Sequence, residues 1–161
     1  MPTPKDIWTL LETVSDPEVP VLTVVDLGVV REVKVEEEQI DITITPTYSG
    51  CPAMNVIEIN MRMALAAAGY ENVNITTVLS PAWTTDWMSE AGRQKLKEYG
   101  IAPPVAGSVD KSALFAEPKV IPCPNCDAED TVMVSEFGST ACKAHYKCNS
   151  CLEPFDYFKC L

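Results

Sequence analysis

Apolar residues change their spacing several times along the chain, and each change marks an element. Ile7, Leu10, Leu11 and Val14 recur at helical spacing behind the starting signals Pro4 and Asp6, which predicts a helix over residues 4–14. Ser-Asp-Pro-Glu-Val-Pro at 15–20 stops it. Between Val29 and Thr47 the period falls to two: Val33 and Val35, an acidic turn at Glu36, Glu37 and Glu38, then Ile40, Ile42 and Ile44 on one face. That alternation predicts an antiparallel hairpin with a solvated tip. From Pro52 to Gly69, the residues Met54, Ile57, Met61, Leu65 and Ala68 form one helical stripe, Glu58 and Arg62 can pair, and Gly69 supplies the stop. Residues 72–80 read as a third strand, and residues 89–100 as a further helix closed by Gly100.

Periodicity is lost beyond residue 101, where Pro103, Pro104, Gly107 and Pro118 crowd a stretch that reads as a connector. The expected division is a first domain over 1–101, a linker over 102–121 and a second domain over 122–161. The fold class is α+β: a small α/β domain (helix, antiparallel hairpin, helix, strand, helix) followed by a C-terminal all-β ribbon. Of 161 residues, 23 are acidic and 12 basic, a net charge of -11 that repels phosphate backbones. No apolar run approaches the roughly 20 residues of a membrane span, and the start lacks a cationic, apolar leader, so a cytoplasmic protein is expected.

Seven cysteines are present, gathered mostly in the last quarter of the chain. Cys-Pro-Asn-Cys at 123–126 and Cys-Asn-Ser-Cys at 148–151 give two CxxC knuckles separated by 21 residues. Such knuckles present four thiolates, Cys123, Cys126, Cys148 and Cys151, to one tetrahedral ion, with the spacer forming the hairpins of a zinc ribbon. A unit of this size has little core, so structural zinc would supply much of its folding free energy. Four soft sulfurs do not by themselves distinguish zinc from iron or a cluster. Cys142 and Cys160 lie outside the knuckles and read as buried thiols, a second metal site or a transient acceptor. His145 is the only histidine, which leaves histidine-based catalysis almost no material. The aromatic residues of Glu-Pro-Phe-Asp-Tyr-Phe at 153–158 either pack over the knuckles or form a stacking platform for bases.

The remaining cysteine, Cys51, stands between Gly50 and Pro52, where a strand ends and a helix begins. A helix N-terminus stabilises a thiolate through free amides and the helix dipole, so Cys51 reads either as a reactive or metal-binding thiol or as a small apolar cap. Asp16 with Glu18, and Asp26 with Gly28, sit at breaks in the pattern. They are carboxylates for a cation or the ordinary furniture of turns. Thr45, Thr47, Tyr48 and Ser49 are potential donors around the thiol, and Trp83 and Trp87 are core or partner surface.

Asp-Pro-Glu-Val-Pro with Val-Val-Asp-Leu-Gly-Val-Val, Ile-Thr-Pro-Thr-Tyr-Ser-Gly-Cys-Pro and Ser-Pro-Ala-Trp-Thr-Thr-Asp-Trp-Met resemble the iron-sulfur assembly factors found beside SUF systems. The cysteine-rich end narrows the resemblance to PaaD-type accessory proteins of phenylacetyl-CoA epoxidase systems. The resemblance implies a maturation role in phenylacetate catabolism rather than catalysis. It implies that Cys51 handles transient iron or an iron-sulfur cluster, and that Asp16, Glu18 and Asp26 line the same region. It implies as partners the oxygenase or reductase subunits of the epoxidase and the iron-sulfur assembly machinery; a homodimer would supply a second Cys51, and the acidic charge and the absence of an apolar span argue against nucleic acid and membrane. Two other classes compete: a zinc-ribbon module binding nucleic acid or protein, and a thiol enzyme using Cys51. The first lacks a basic face; the second lacks an evident resolving cysteine or base.

Overall fold

A computed structural model of the chain describes residues 1–105 and 119–159. Residues 106–118 of the expected linker, and Cys160, lie outside the described residues. The chain forms two compact units, Met1–Gly92 and Arg93–Leu161.

The first unit opens with α1 (Pro4–Leu11), shorter than the periodicity implied because its last turn ends at Glu12. A capping box starts it: Thr3 Oγ1 accepts from the Asp6 amide, and the Asp6 carboxylate accepts from the Thr3 amide at 2.8 Å. Strands β1 (Val30–Glu36) and β2 (Gln39–Ile44) pair antiparallel, with Glu37 at φ 55° in the exposed acidic turn. Ile40, Ile42 and Ile44 alternate into the core as their spacing demands. After β2 the chain enters α2 (Ala53–Ala67), which buries Ala53, Ile57, Met61 and Leu65. Its end is a Schellman motif: Gly69, at φ 88°, donates to the Ala66 carbonyl, and the Tyr70 amide donates to the Leu65 carbonyl. β3 (Val73–Thr77) then lies parallel to β2, giving a sheet of order β1-β2-β3. Ile7 and Leu11 of α1 and Leu22, Val24 and Leu27 of the following loop join the buried set.

α3 (Glu90–Glu98) follows a single 3-10 turn at Thr85–Trp87. The second unit is a four-stranded sheet of order β4-β7-β6-β5, made of β4 (Ile101–Ala102), β5 (Thr131–Ser135), β6 (Lys143–Cys148) and β7 (Pro154–Phe158). β4 pairs parallel with β7. Ala102 and Ile121 are buried in one cluster with Cys123, Ala144, Cys148, Phe155 and Tyr157. The division after Gly92 falls within α3. The ribbon recruits β4 and Ile121 because a sheet of three short strands offers too little apolar area alone.

Candidate metal centre and the thiol corner

The two CxxC segments fold into tight loops that aim four sulfurs at one point. In the first, the Cys123 amide donates to the Ala128 carbonyl and the Asp127 amide donates back to the Cys123 carbonyl at 2.8 Å. In the second, the Cys148 amide donates to the Glu153 carbonyl, and the Cys151 amide donates to Cys148 Sγ at 3.5 Å. The residue after each second cysteine, Asp127 (φ 59°) and Leu152 (φ 67°), takes the left-handed conformation that closes the loop.

Cys123 Sγ lies 3.8 Å from Cys151 Sγ, and Cys126 Sγ lies 3.6 Å from Cys148 Sγ. All four ligand atoms fall within 4.8 Å of one another. A tetrahedron of sulfurs about 2.3 Å from zinc has edges of about 3.8 Å, so the quartet fits the ion. Electrostatics agree. The Cys151 amide, followed by that of Ser150, holds the Cys148 thiol down at about 7 against the burial that opposes it. At Cys151 the Glu153 amide also favours the thiolate, but burial and the three neighbouring cysteines outweigh it and push the thiol up to about 12. Without a cation Cys148 opposes ionisation of Cys151, and a divalent ion removes that conflict.

Phe155, Tyr157 and Tyr146 pack on this centre, with Tyr146 stacked on Phe155 at 5.7 Å between centroids and edge-on to Tyr157. They serve as core. Cys142 is buried outside the quartet, its sulfur 3.1 Å from Thr140 Oγ1. His145 Nδ1 sits 3.3 Å from Asp156 Oδ1.

In the first unit, Cys51 is half-buried and stands one residue before the N-cap position of α2, which Pro52 occupies. Its amide donates to the Tyr48 carbonyl at 3.2 Å, and its carbonyl accepts from the Met54 amide at 3.3 Å. No side chain caps the helix. Gly50, at φ 81°, has open space where a Cβ would be, so conformation alone calls for glycine there. Thr45, at the end of β2, has a buried hydroxyl without a hydrogen-bond partner.

The carboxylates are bound within their own loops. Asp16 Oδ1 accepts from the amides of Glu18 and Val19 at 2.8 and 2.7 Å, an Asx turn, and Glu18 is half-buried beside it. Asp26 Oδ2 accepts from the Thr23 amide, while its Oδ1 accepts from Ser89 Oγ at 2.9 Å. The Asp26 carbonyl takes the Ser89 amide at 2.8 Å, and Ser89 Oγ accepts the Gly92 amide. This lock is extended by the tryptophans: Trp83 Nε1 donates to the Leu27 carbonyl at 2.8 Å, and Arg31 covers the Trp87 ring at 3.6 Å. Among the described residues, the cysteine quartet is the one group of three or more His, Cys, Asp or Glu side chains placed to share an ion; Cys51, Asp16, Glu18 and Asp26 do not form another. Sequence reasoning did not find Ser89, whose link to Asp26 spans 63 positions.

Residues 4–77 match the family described as iron-sulfur cluster assembly protein, and residues 107–159 match the PaaD zinc beta ribbon domain. The chain is 49% identical over 156 residues to a protein of Escherichia coli that is named as one component of a 1,2-phenylacetyl-CoA epoxidase, covering 97% of this chain and 92% of that one. It is 38% identical over 96 residues to an Fe-S protein maturation auxiliary factor of Porphyromonas gingivalis, covering 58% of this chain and 90% of the relative. A crystal structure of a domain of unknown function (DUF59) from Bacillus anthracis superposes with a TM-score of 0.54 at 29% identity, covering 58% of this chain and 90% of that domain. No helix among the described residues is long and apolar enough to cross a membrane. With an assembly-type α/β unit and a four-cysteine ribbon joined in that order, the chain belongs to the PaaD family.

Proposed function

We propose that this protein is an accessory factor that assists assembly of the iron-sulfur or diiron centre of a phenylacetyl-CoA epoxidase in the cytoplasm. The observation that carries the reading is the similarity, over nearly the whole chain, to a protein named as an epoxidase component, combined with relatives of the α/β unit that are maturation factors. In this reading Cys51 is a labile ligand. It is partly accessible at an uncapped helix start, and it is one thiolate where a cluster needs about four, so the other ligands come from the donor, the client or a second copy of the chain. Asp16 and Asp26 shape the loops of the α/β unit, with Glu18 carried by the Asp16 turn. The ribbon holds zinc through Cys123, Cys126, Cys148 and Cys151 and docks the oxygenase or reductase subunit, with no catalytic residue of its own.

The test is co-production of the epoxidase with the wild-type chain or with Cys51→Ser, followed by iron and sulfide analysis of the epoxidase. Cys51→Ser should fold and keep its zinc, while the epoxidase beside it is deficient in its metal centre. Full metal content and activity beside Cys51→Ser would exclude cluster handling by this thiol.

A further inference from the structure

Among the described residues the ribbon sheet ends on β5, and this edge is poorly protected. An edge strand presents a row of free N–H and C=O groups, which proteins usually blunt with lysine, proline, a bulge or a covering element, and of these β5 has only a bulge, between Met133 and Ser135. Thr131–Ser135 contains no charged residue and no proline. Val132, Met133 and Val134 are 47%, 53% and 61% exposed, although successive side chains point to opposite faces. Both faces are therefore open as well as the edge. Phe137, just beyond, is 55% exposed, and the one irregularity is a shift of register between Met133 and Ser135.

Such an edge suits either a second copy or a strand of another protein, and the charges choose between them. A second β5 running antiparallel about Met133 would set Asp130 opposite Glu136 at both ends of the pairing. A parallel copy in register would set each carboxylate against itself. Like charges directly opposed across a ladder are destabilising. Glu129 and Asp130 at one end and Glu136 at the other instead complement a strand with basic ends.

We propose that β5 accepts an extended segment of a partner protein, apolar at its centre and carrying Lys or Arg at both ends, which adds a further strand to the ribbon sheet. Main-chain hydrogen bonds hold it, and Val132 and Met133, on opposite faces ahead of the register shift, select its alternate side chains. The inference rests on the docking role proposed for the ribbon and names the chemistry of the docked segment.

The probe is the capped peptide Lys-Thr-Val-Ile-Val-Thr-Lys added to the full-length, zinc-loaded chain, read by fluorescence anisotropy and amide hydrogen exchange. Binding should protect the amides of Thr131–Ser135. Proline in place of the central isoleucine, or glutamates in place of both lysines, should weaken it at least about tenfold. Val134→Lys or Met133→Lys should do the same while zinc content stays unchanged. Glu136→Lys should shift preference toward the glutamate-ended peptide. Cys51→Ser should bind like wild type, so failure of this edge and failure of the maturation reading are seen separately. Absence of binding, or binding indifferent to the proline and to Val134→Lys, overturns the proposal. So does concentration-dependent self-association abolished by Val134→Lys, which would give the edge to a second copy.

Discussion

A methyl group added at residue 28 would stand 2.3 Å from the Trp87 carbonyl oxygen, on a backbone already at φ 69°. Gly28 is thus required by close approach as well as by conformation, and the Asp-Leu-Gly segment works as a lock. In the sequence this segment was visible as polar residues at a break in periodicity. Its partners, Ser89 and the two tryptophans, were not visible as partners, because no local pattern reports contacts across tens of residues. Asp16 was more legible, since an Asx turn is a local device. Thr45 presents the opposite case: an isolated hydroxyl with no partner, whose burial costs about 1–3 kcal/mol. Thr45→Val keeps the shape and removes the unpaired group. It should raise the stability of the first unit by about 1 kcal/mol, measured as a higher urea midpoint; a lower midpoint would show that the hydroxyl is satisfied in solution.

The elements that announced themselves did so by period. β2 buries Ile40, Ile42 and Ile44, and α2 buries Ile57, Met61 and Leu65, as the spacing selects, but Met54 is only half-buried, Ala68 is exposed and Ala53 is buried in addition. β4 has two residues ahead of a Pro-Pro pair and no period to read, so only its pairing with β7 reveals it. The knuckles were legible from spacing, but the left-handed residue that closes each was not. Asp tolerates that conformation; Leu at 152 does not, at a cost of about 1–2 kcal/mol. The Leu152 side chain is exposed, so little packing is lost with it. Leu152→Gly should therefore tighten zinc binding by up to about tenfold in competition with a chromophoric chelator, and weaker binding would show that the leucine makes contacts worth more than its strain.

For the molecule as a whole, the metal centre and the α/β unit stand on different foundations. The first unit closes an aliphatic core around Ile7, Leu22, Ile42 and Met61. The second places two of its metal-binding cysteines, Cys123 and Cys148, inside its own core. Removing zinc with a chelator should abolish a thermal transition of the ribbon and leave that of the first unit in place. The pH dependence has a definite sign. The Cys148 thiol is drawn below its ordinary 9.0 to about 7, so its share of ribbon stability is complete above 9.0 and is lost as pH falls through 7. Bound zinc requires all four thiolates and steepens that loss. Calorimetry at pH 8 and pH 5.5 should find the ribbon transition lower at the acid pH, with zinc released; an unchanged transition would rule out thiolate ligation.

The four sulfurs are not equally sheltered. Cys123 and Cys148 are buried and Cys151 is half-buried, whereas Cys126 is exposed. The Cys126 corner is therefore the most open side of the quartet. An oxidant, a competing chelator or an incoming thiol would reach Cys126 first, with three ligands left to hold a bound ion. Exchange of a bound ion would then begin at the Cys126 corner.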